Sequence, residues 1–159
     1  MTTRKTIFIT GGGSGIGRAV AQTFAGQGWF VGLADIDEAG MRATAVLLPE
    51  GACSLHQLDV RDRAAWDVAL VACAEKSGDR IDVVFNNAGI PLGGQIIDHS
   101  VAEIERCLDI NLNGVLYKVP PDLAVFDALK SLAEFGVGAV LVMDGERMRS
   151  EERRVGKEC

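Results

Sequence analysis

A chain of 159 residues, 48% of them hydrophobic, with a formal net charge of −6 has room for one domain with a real core and not for two ordinary ones. The acidic balance argues against a nucleic-acid or anionic-membrane surface, and no apolar stretch approaches membrane-spanning length. Cys53, Cys73, Cys107 and Cys159 are scattered, with no CxxC pair and no metal-like cluster with His56 or His99, so unpaired thiols in a reducing cytosol and no bound metal are expected.

Arg4 and Lys5 precede an apolar run, Thr6-Ile7-Phe8-Ile9, that is only a strand long and does not read as a signal peptide. Thr10 to Gly17 follows as TGGGSGIG, and Arg18 to Ala25 carries apolar residues at helical spacing. The glycines therefore sit at a strand-to-helix turn. Gly11 and Gly13 are expected to allow tight or left-handed backbone. Gly15 and Gly17 are expected to let the backbone approach a ligand and pack the helix on the strand. The helix's first-turn N–H groups and its dipole then favour an anion, for which a pyrophosphate is the natural guest; a glycine-rich turn without a ligand is the plainer alternative.

Residues 29–34, WFVGLA, predict a second strand, and Asp35-Ile36-Asp37-Glu38 follows it. An acidic residue there, about twenty positions past the glycines, fits the second half of the dinucleotide fingerprint. A carboxylate accepts hydrogen bonds from the adenosine ribose hydroxyls and repels a 2′-phosphate; two like charges in contact near a surface cost about 4 kcal/mol. No Arg or Lys lies between Trp29 and Met41 to offset that, so NAD is expected over NADP. Asp35 is the candidate and Asp37 the near alternative. The competing role is to cap the helix expected over 38–48, and it suits Asp37 better.

Pro49-Glu50-Gly51 predicts a turn and 52–58 a third strand, ending in Asp59-Val60. Residues 62–76 read as an amphipathic helix with Ala65, Trp66, Ala69, Leu70 and Cys73 inward. Residues 82–85 predict a fourth, fully buried strand that ends in Asn86-Asn87-Ala88-Gly89. Near-continuously apolar strands alternating with helices are the pattern of an α/β fold, a doubly wound parallel sheet covered on both faces. Ligands of such sheets bind beyond the carboxyl ends of the strands, where Gly11, Asp35, Asp59 and Asn86 all fall.

TGGGSGIG, the acidic strand end at Asp35, Asp59-Val60, the NNAG of Asn86 to Gly89 and the NLNG of Asn111 to Gly114 occur in the order and at the spacing of the short-chain dehydrogenase/reductase family, which residues 1–117 resemble. The resemblance implies a Rossmann-like, NAD-binding domain. It implies that Gly11, Ser14, Gly15, Ile16 and Gly17 hold the pyrophosphate and the nicotinamide-side ribose. Asp35, with Ile36 beside it, would hold the adenosine ribose, and Asp59 and Val60 would line the adenine. Asn86, Ala88 and Gly89 would back the cofactor, with a satisfied turn after the strand as the structural alternative for Asn86 and Asn87. Asn111 would match the helix Asn that anchors a proton-relay water. It further implies a small-molecule alcohol or ketone substrate, and a homo-oligomer for a full-length parent.

The family's acid–base step uses a Tyr, a Lys four residues on that lowers the phenol's pKa, and an upstream Ser that orients the substrate. Tyr117 is the one Tyr of this chain; Pro121 stands four residues on, and Lys118 is adjacent, on the wrong spacing for a common helix face. The Ser, Tyr and Lys are therefore expected to be absent, leaving Asn111 alone of the catalytic set.

Beyond Val119-Pro120-Pro121-Asp122, residues 123–135 have helical spacing, 137–143 read as a buried-type strand, and Asp144-Gly145 is a hairpin signal. Residues 119–148 resemble the first half of a CBS domain, a module that often binds adenosine nucleotides, without its second strand; a divergent continuation of the first domain is the alternative. Residues 149–159, RSEERRVGKEC, resemble a translated sequencing adapter, a non-native tail. The expected fold is thus truncated after the fourth strand, with 137–143 as a possible surrogate fifth strand beside 82–85. The expected function is that of a cytoplasmic cofactor-binding fragment of an NAD-dependent dehydrogenase or ketoreductase. The alternatives are a non-enzymatic module that binds a dinucleotide or adenosine nucleotide, and an inactive chimeric product.

Overall fold

Strand β1, Thr6–Thr10, is buried along its whole length, because its alternating side chains serve two cores: Ile7 and Ile9 point to one face of a sheet and Phe8 to the other. The computed structural model describes residues 4–114, 118–119, 141–144 and 147–149. They fall into two units, Met1–Val115 and Leu116–Cys159.

In the first unit, β1 is followed by α1 (Gly15–Gly26), β2 (Phe30–Asp35), α2 (Glu38–Ala45), β3 (Cys53–Gln57), α3 (Arg63–Ser77) and β4 (Val83–Phe85). The sheet order is β3-β2-β1-β4, and every pairing is parallel. The chain runs outward from β1 through β2 to β3, then returns to the other side of β1 for β4. This places a topological switch point at the carboxyl ends of β1 and β4, the usual location of a ligand crevice.

Helices α1 and α2 cover one face, where Ala21, Ala25 and Met41 pack on Ile7, Ile9, Val31 and Leu33. Helix α3 covers the other, where Trp66, Ala69 and Cys73 pack on Phe8, Phe30 and Ala34. A Cβ on Gly32 would lie 2.6 Å from the Cys73 sulfur and 2.7 Å from the Phe8 ring, so a bare backbone in the middle of β2 lets α3 close on the sheet. Arg4 ties the opposite, amino end together by donating to the carbonyls of Gly28, Trp29 and Gly51 at 3.0–3.1 Å.

Several expectations shift. The helix expected over 38–48 ends at Ala45, and the one expected over 62–76 runs from Arg63 to Ser77. The fourth strand is half-buried rather than fully buried, because among the described residues it pairs with β1 alone. After it come a 3₁₀ turn, Ile96–Asp98, helix α4, Val101–Leu108, and a π-turn, Asp109–Asn113. No helix among the described residues is long and apolar enough to cross a membrane.

The second unit has strands β5 (Lys118–Val119), β6 (Leu141–Asp144) and β7 (Arg147–Arg149). Strand β6 is central, parallel to β5 and antiparallel to β7. Of the strand expected at 137–143 as a possible surrogate fifth strand, the described part, 141–143, pairs with β5 and β7 and not with β4. Both of its hydrogen-bonding edges are taken within a separate three-stranded sheet. The hairpin signal at Asp144-Gly145 corresponds to the antiparallel register Asp144↔Arg147. Tyr117, the helix expected at 123–135 and all of the adapter-like tail except Arg149 lie outside the described residues.

Candidate functional site

Parallel register aligns the strand ends. Thr10 lies opposite Ala34, Ala34 opposite His56, and Ile9 opposite Phe85. The segments beginning at Gly11, Asp35, Leu58 and Asn86 therefore leave the sheet at one edge, and the chain bonds them to one another. Gly12 N donates to Ala34 O at 3.1 Å and Leu58 N to Asp35 O at 3.0 Å. Gly13 N donates to Asp35 Oδ2 at 2.9 Å.

The glycine turn needs its glycines for two separate reasons. Gly11 and Gly15 have φ of +68° and +49°, a region costly for residues with a Cβ. Gly17 is needed for space: a Cβ there would lie 2.1 Å from the Gly11 carbonyl oxygen. Of the tight or left-handed backbone expected at Gly13, the structure has the tight approach: Gly13 is not among the positive-φ residues, and the Asp35 carboxylate rests on it. Ser14 stands at the N-cap of α1 in extended backbone, yet its side chain makes no capping bond. Asp37, Asp62 and Ser100 each cap the helix that follows them. Ser14, Gly15 and Ile16 are exposed, so the first turn of α1 is open at its N–H end.

At the end of β2, Asp35 accepts from Gly13 N through Oδ2 and from Asp37 N through Oδ1 at 3.0 Å. Each oxygen keeps a lone pair. Asp37 accepts from Gly40 N at 3.0 Å and is the N-cap of α2. Ile36 is exposed beside Asp35.

At the end of β4, the ties run through residues that sequence reasoning weighted less. Thr10 Oγ1 accepts from the N–H groups of Asn87 and Ala88, both at 3.0 Å. Asn87 Nδ2 donates to Thr10 O at 3.0 Å and to Gly11 O at 3.4 Å. Thus Asn87, more than Asn86, fixes the glycine turn to β4. The NNAG string carried both residues, but only the cross-sheet contact separates them.

Asp59 sits two residues past β3. Its carboxylate chelates Arg61, whose side chain donates to both oxygens, with Nη2 2.6 Å from Oδ2. Those bonds, more than any other influence, hold Asp59 below the usual carboxylate range. Val60 turns its side chain into the core under α3, and its carbonyl accepts from Trp66 Nε1 at 3.0 Å.

Helix α4 starts with a capping box in which Ser100 and Glu103 bond reciprocally. Sequence reasoning passed over this helix, although Ser-x-x-Glu is a legible start signal. Its continuation into the π-turn carries Asn111, whose amide pairs with one residue at two points: Ile90 N donates to Oδ1 and Nδ2 donates to Ile90 O, both at 2.8 Å. Gly89 admits it, since a Cβ there would lie 2.8 Å from Asn111 Oδ1. Asn111 therefore fixes the loop that leaves β4.

A family model described as short chain dehydrogenase matches residues 5–131. The chain is 35% identical over 113 residues to a meso-2,3-butanediol dehydrogenase of Serratia marcescens, covering 71% of this chain and 45% of that protein. It is 37% identical over 145 residues to a levodione reductase of Leifsonia aquatica, covering 87% and 51%. Among solved structures, a 3-ketoacyl-(acyl-carrier-protein) reductase from Brucella melitensis complexed with NADH superimposes with a TM-score of 0.66 at 34% identity, covering 70% of this chain and 46% of that one. The chain spans about half the length of these relatives.

Proposed function

The chain belongs to the short chain dehydrogenase family, a family of oxidoreductases with an NAD(P)-binding Rossmann fold, and on that premise we propose that it carries the NAD-binding half of a dehydrogenase or ketoreductase. The observation that carries the reading is the junction of Gly13 and Asp35, which puts a carboxylate with spare lone pairs beside the open start of α1. A dinucleotide fits these residues. The uncapped N–H groups of Ser14, Gly15 and Ile16, with the helix dipole behind them, suit its pyrophosphate. Asp35 suits the adenosine ribose diol and disfavours a 2′-phosphate. Ile36 supplies an exposed apolar side chain next to it, and Asp59, Val60, Asn86, Ala88 and Gly89 complete the walls.

Bound NAD supplies a hydride acceptor, and its reduced form a donor, for a small alcohol or ketone. The residues of this chain bind and orient it. We read the family's Ser, Tyr and Lys as missing, since Pro121 stands where a Lys would follow Tyr117. Asn111 remains from the catalytic set, and its amide, spent on Ile90, positions the loop after β4. Scattered free thiols at Cys53, Cys73 and Cys107 support a cytoplasmic location, and a homo-oligomer is proposed for a full-length parent.

The test is titration of the chain with NADH and NADPH by nicotinamide fluorescence. NADH is expected to bind without turnover of a ketone panel. Asp35→Ala should weaken NADH about tenfold, the loss of a bidentate charged acceptor, and bring NADPH closer to it. An unchanged preference removes Asp35 from the site, and hydride transfer to any ketone overturns the missing catalytic set.

A further inference from the structure

Residues 29–41 offer no cation to the ribose corner, and the fold brings Arg18 to its edge from α1. From the second turn of α1, its Nη2 donates to Gly13 O at 2.5 Å and its Nε to Thr44 Oγ1 at 3.0 Å. Thr44 is fully buried on α2, and its hydroxyl donates in turn to Gly40 O at 3.1 Å. Gly13 is thus held at both ends, its carbonyl by Arg18 and its N–H by Asp35. The first turn of α2 presses on the same spot: a Cβ on Gly40 would lie 3.0 Å from Gly13 O, and one on Gly13 would lie 2.9 Å from Asp35 Oδ2.

We propose that Arg18 and Thr44 form a strap that sets the Gly13 turn, and through it the Asp35 carboxylate, so that Arg18 is a positioning residue for discrimination between dinucleotides with and without a 2′-phosphate. This rests on reading the site as an NAD site. The physical reason is that glycine leaves its flanking peptides free to rotate. A turn of Gly11, Gly12 and Gly13 in succession presents a fixed N–H to Asp35 only if something outside it removes that freedom. A guanidinium does so with two directed donors on a planar fork; an ammonium carries the same charge without the fork. The rival role for Arg18, direct attraction of a 2′-phosphate, makes the opposite demand: its removal would hurt NADPH more than NADH.

The experiment measures NADH and NADPH affinity for Arg18→Met, Arg18→Lys, Thr44→Val, Asp35→Ala and the Arg18→Met/Asp35→Ala double variant, with amide hydrogen exchange across the glycine turn of each unliganded chain. Arg18→Met is expected to weaken NADH about tenfold, the scale of one charge-assisted bond, and to reduce the NADH preference by a similar factor. Arg18→Lys should behave like Arg18→Met, Thr44→Val should follow in the same direction with a smaller change, and the double variant should match Asp35→Ala alone. Exchange at the Gly13 amide should quicken in Arg18→Met and Thr44→Val. Additive effects in the double variant, an unchanged preference, or rescue by Arg18→Lys with a selective loss of NADPH would overturn the strap. A wild-type chain that binds neither dinucleotide overturns the reading of the site instead, and unchanged Gly13 exchange then overturns the strap as well. Thr44→Val keeps the buried shape and serves where Arg18→Met does not fold.

Discussion

The two faces of the first sheet carry apolar cores of the same kind and differ in where they put their polar groups. On the face of α1 and α2, Ile7, Ile9, Val31, Leu33 and Met41 make the core. The polar atoms gather at the carboxyl edge, where α1 begins with no side-chain cap. On the face of α3, the helix start is closed by Asp62, which accepts from Ala64 N and Ala65 N, and polar groups lie inside. Ser54 Oγ is 2.7 Å from His56 Nε2 and 4.0 Å from Cys73 Sγ, in a cluster bounded by the Phe8 ring. One face leaves the donors of a helix start open; on the other the Ser54, His56 and Cys73 side chains bond one another within the chain. The uncapped start at Ser14 breaks a local rule that α2, α3 and α4 obey, and a broken rule of that kind supports the proposal of a binding site there.

The largest expected break in this contrast is Gly17→Ala. A Cβ 2.1 Å from Gly11 O forces α1 off β1, and overpacking against backbone should cost about 3 kcal/mol or more. Urea unfolding reads it as a lower midpoint, and NADH binding should be lost with it.

The α3 face should show itself in acid. Burial first, and the positive charge of Lys76 second, lower the His56 pKa from its ordinary 6.5 to about 4. The unfolded chain therefore binds a proton between pH 6.5 and 4 that the folded chain refuses. Stability from this group is complete above pH 6.5, falls as the pH drops through that window and is lost below about 4. The total is at most about 3 kcal/mol. Urea midpoints measured from pH 4 to 7 should rise with pH, and His56→Gln should flatten that slope; an unchanged slope would place its origin in other groups.

The smallest effects separate the two helix starts. Asp62→Ala should cost about 1 kcal/mol, the usual loss for a capping side chain. Ser14→Ala should stay within about 0.5 kcal/mol of the parent and show itself in weaker NADH binding. Equal destabilisation by the two would erase the contrast between an open and a closed start.

Much of the first unit was legible before any coordinates. Apolar runs of strand length, helical spacing between them and the glycine string at the first turn suffice for parallel strands with helices on both faces. They also place Gly11, Asp35, Asp59 and Asn86 at one edge. What escaped has a common cause. Arg18 to Thr44, Thr10 to Asn87 and Asn111 to Ile90 join residues 26, 77 and 21 positions apart, and no local period reports such pairs. Helix α4 is the exception, since its Ser100–Glu103 box stood in the sequence unread. The surrogate strand failed because composition says that residues 137–143 suit a buried parallel position, but not which neighbours supply the hydrogen bonds.

The amino-acid string alone determined the family, the parallel α/β architecture and the acidic residue at the second strand end. The architecture and the acidic strand end follow from short-range steric and periodic rules that act within about twenty residues; the family follows from the resemblance of motifs spread from Thr10 to Gly114. Tertiary structure decided which glycines take left-handed backbone and which are merely small, and that the Asp35 carboxylate rests on Gly13. It also decided that Arg18 is spent on a carbonyl and a hydroxyl, and which edge each strand pairs with. Those outcomes depend on the close approach of segments distant in the chain, where a few tenths of an ångström select one hydrogen-bond partner over another.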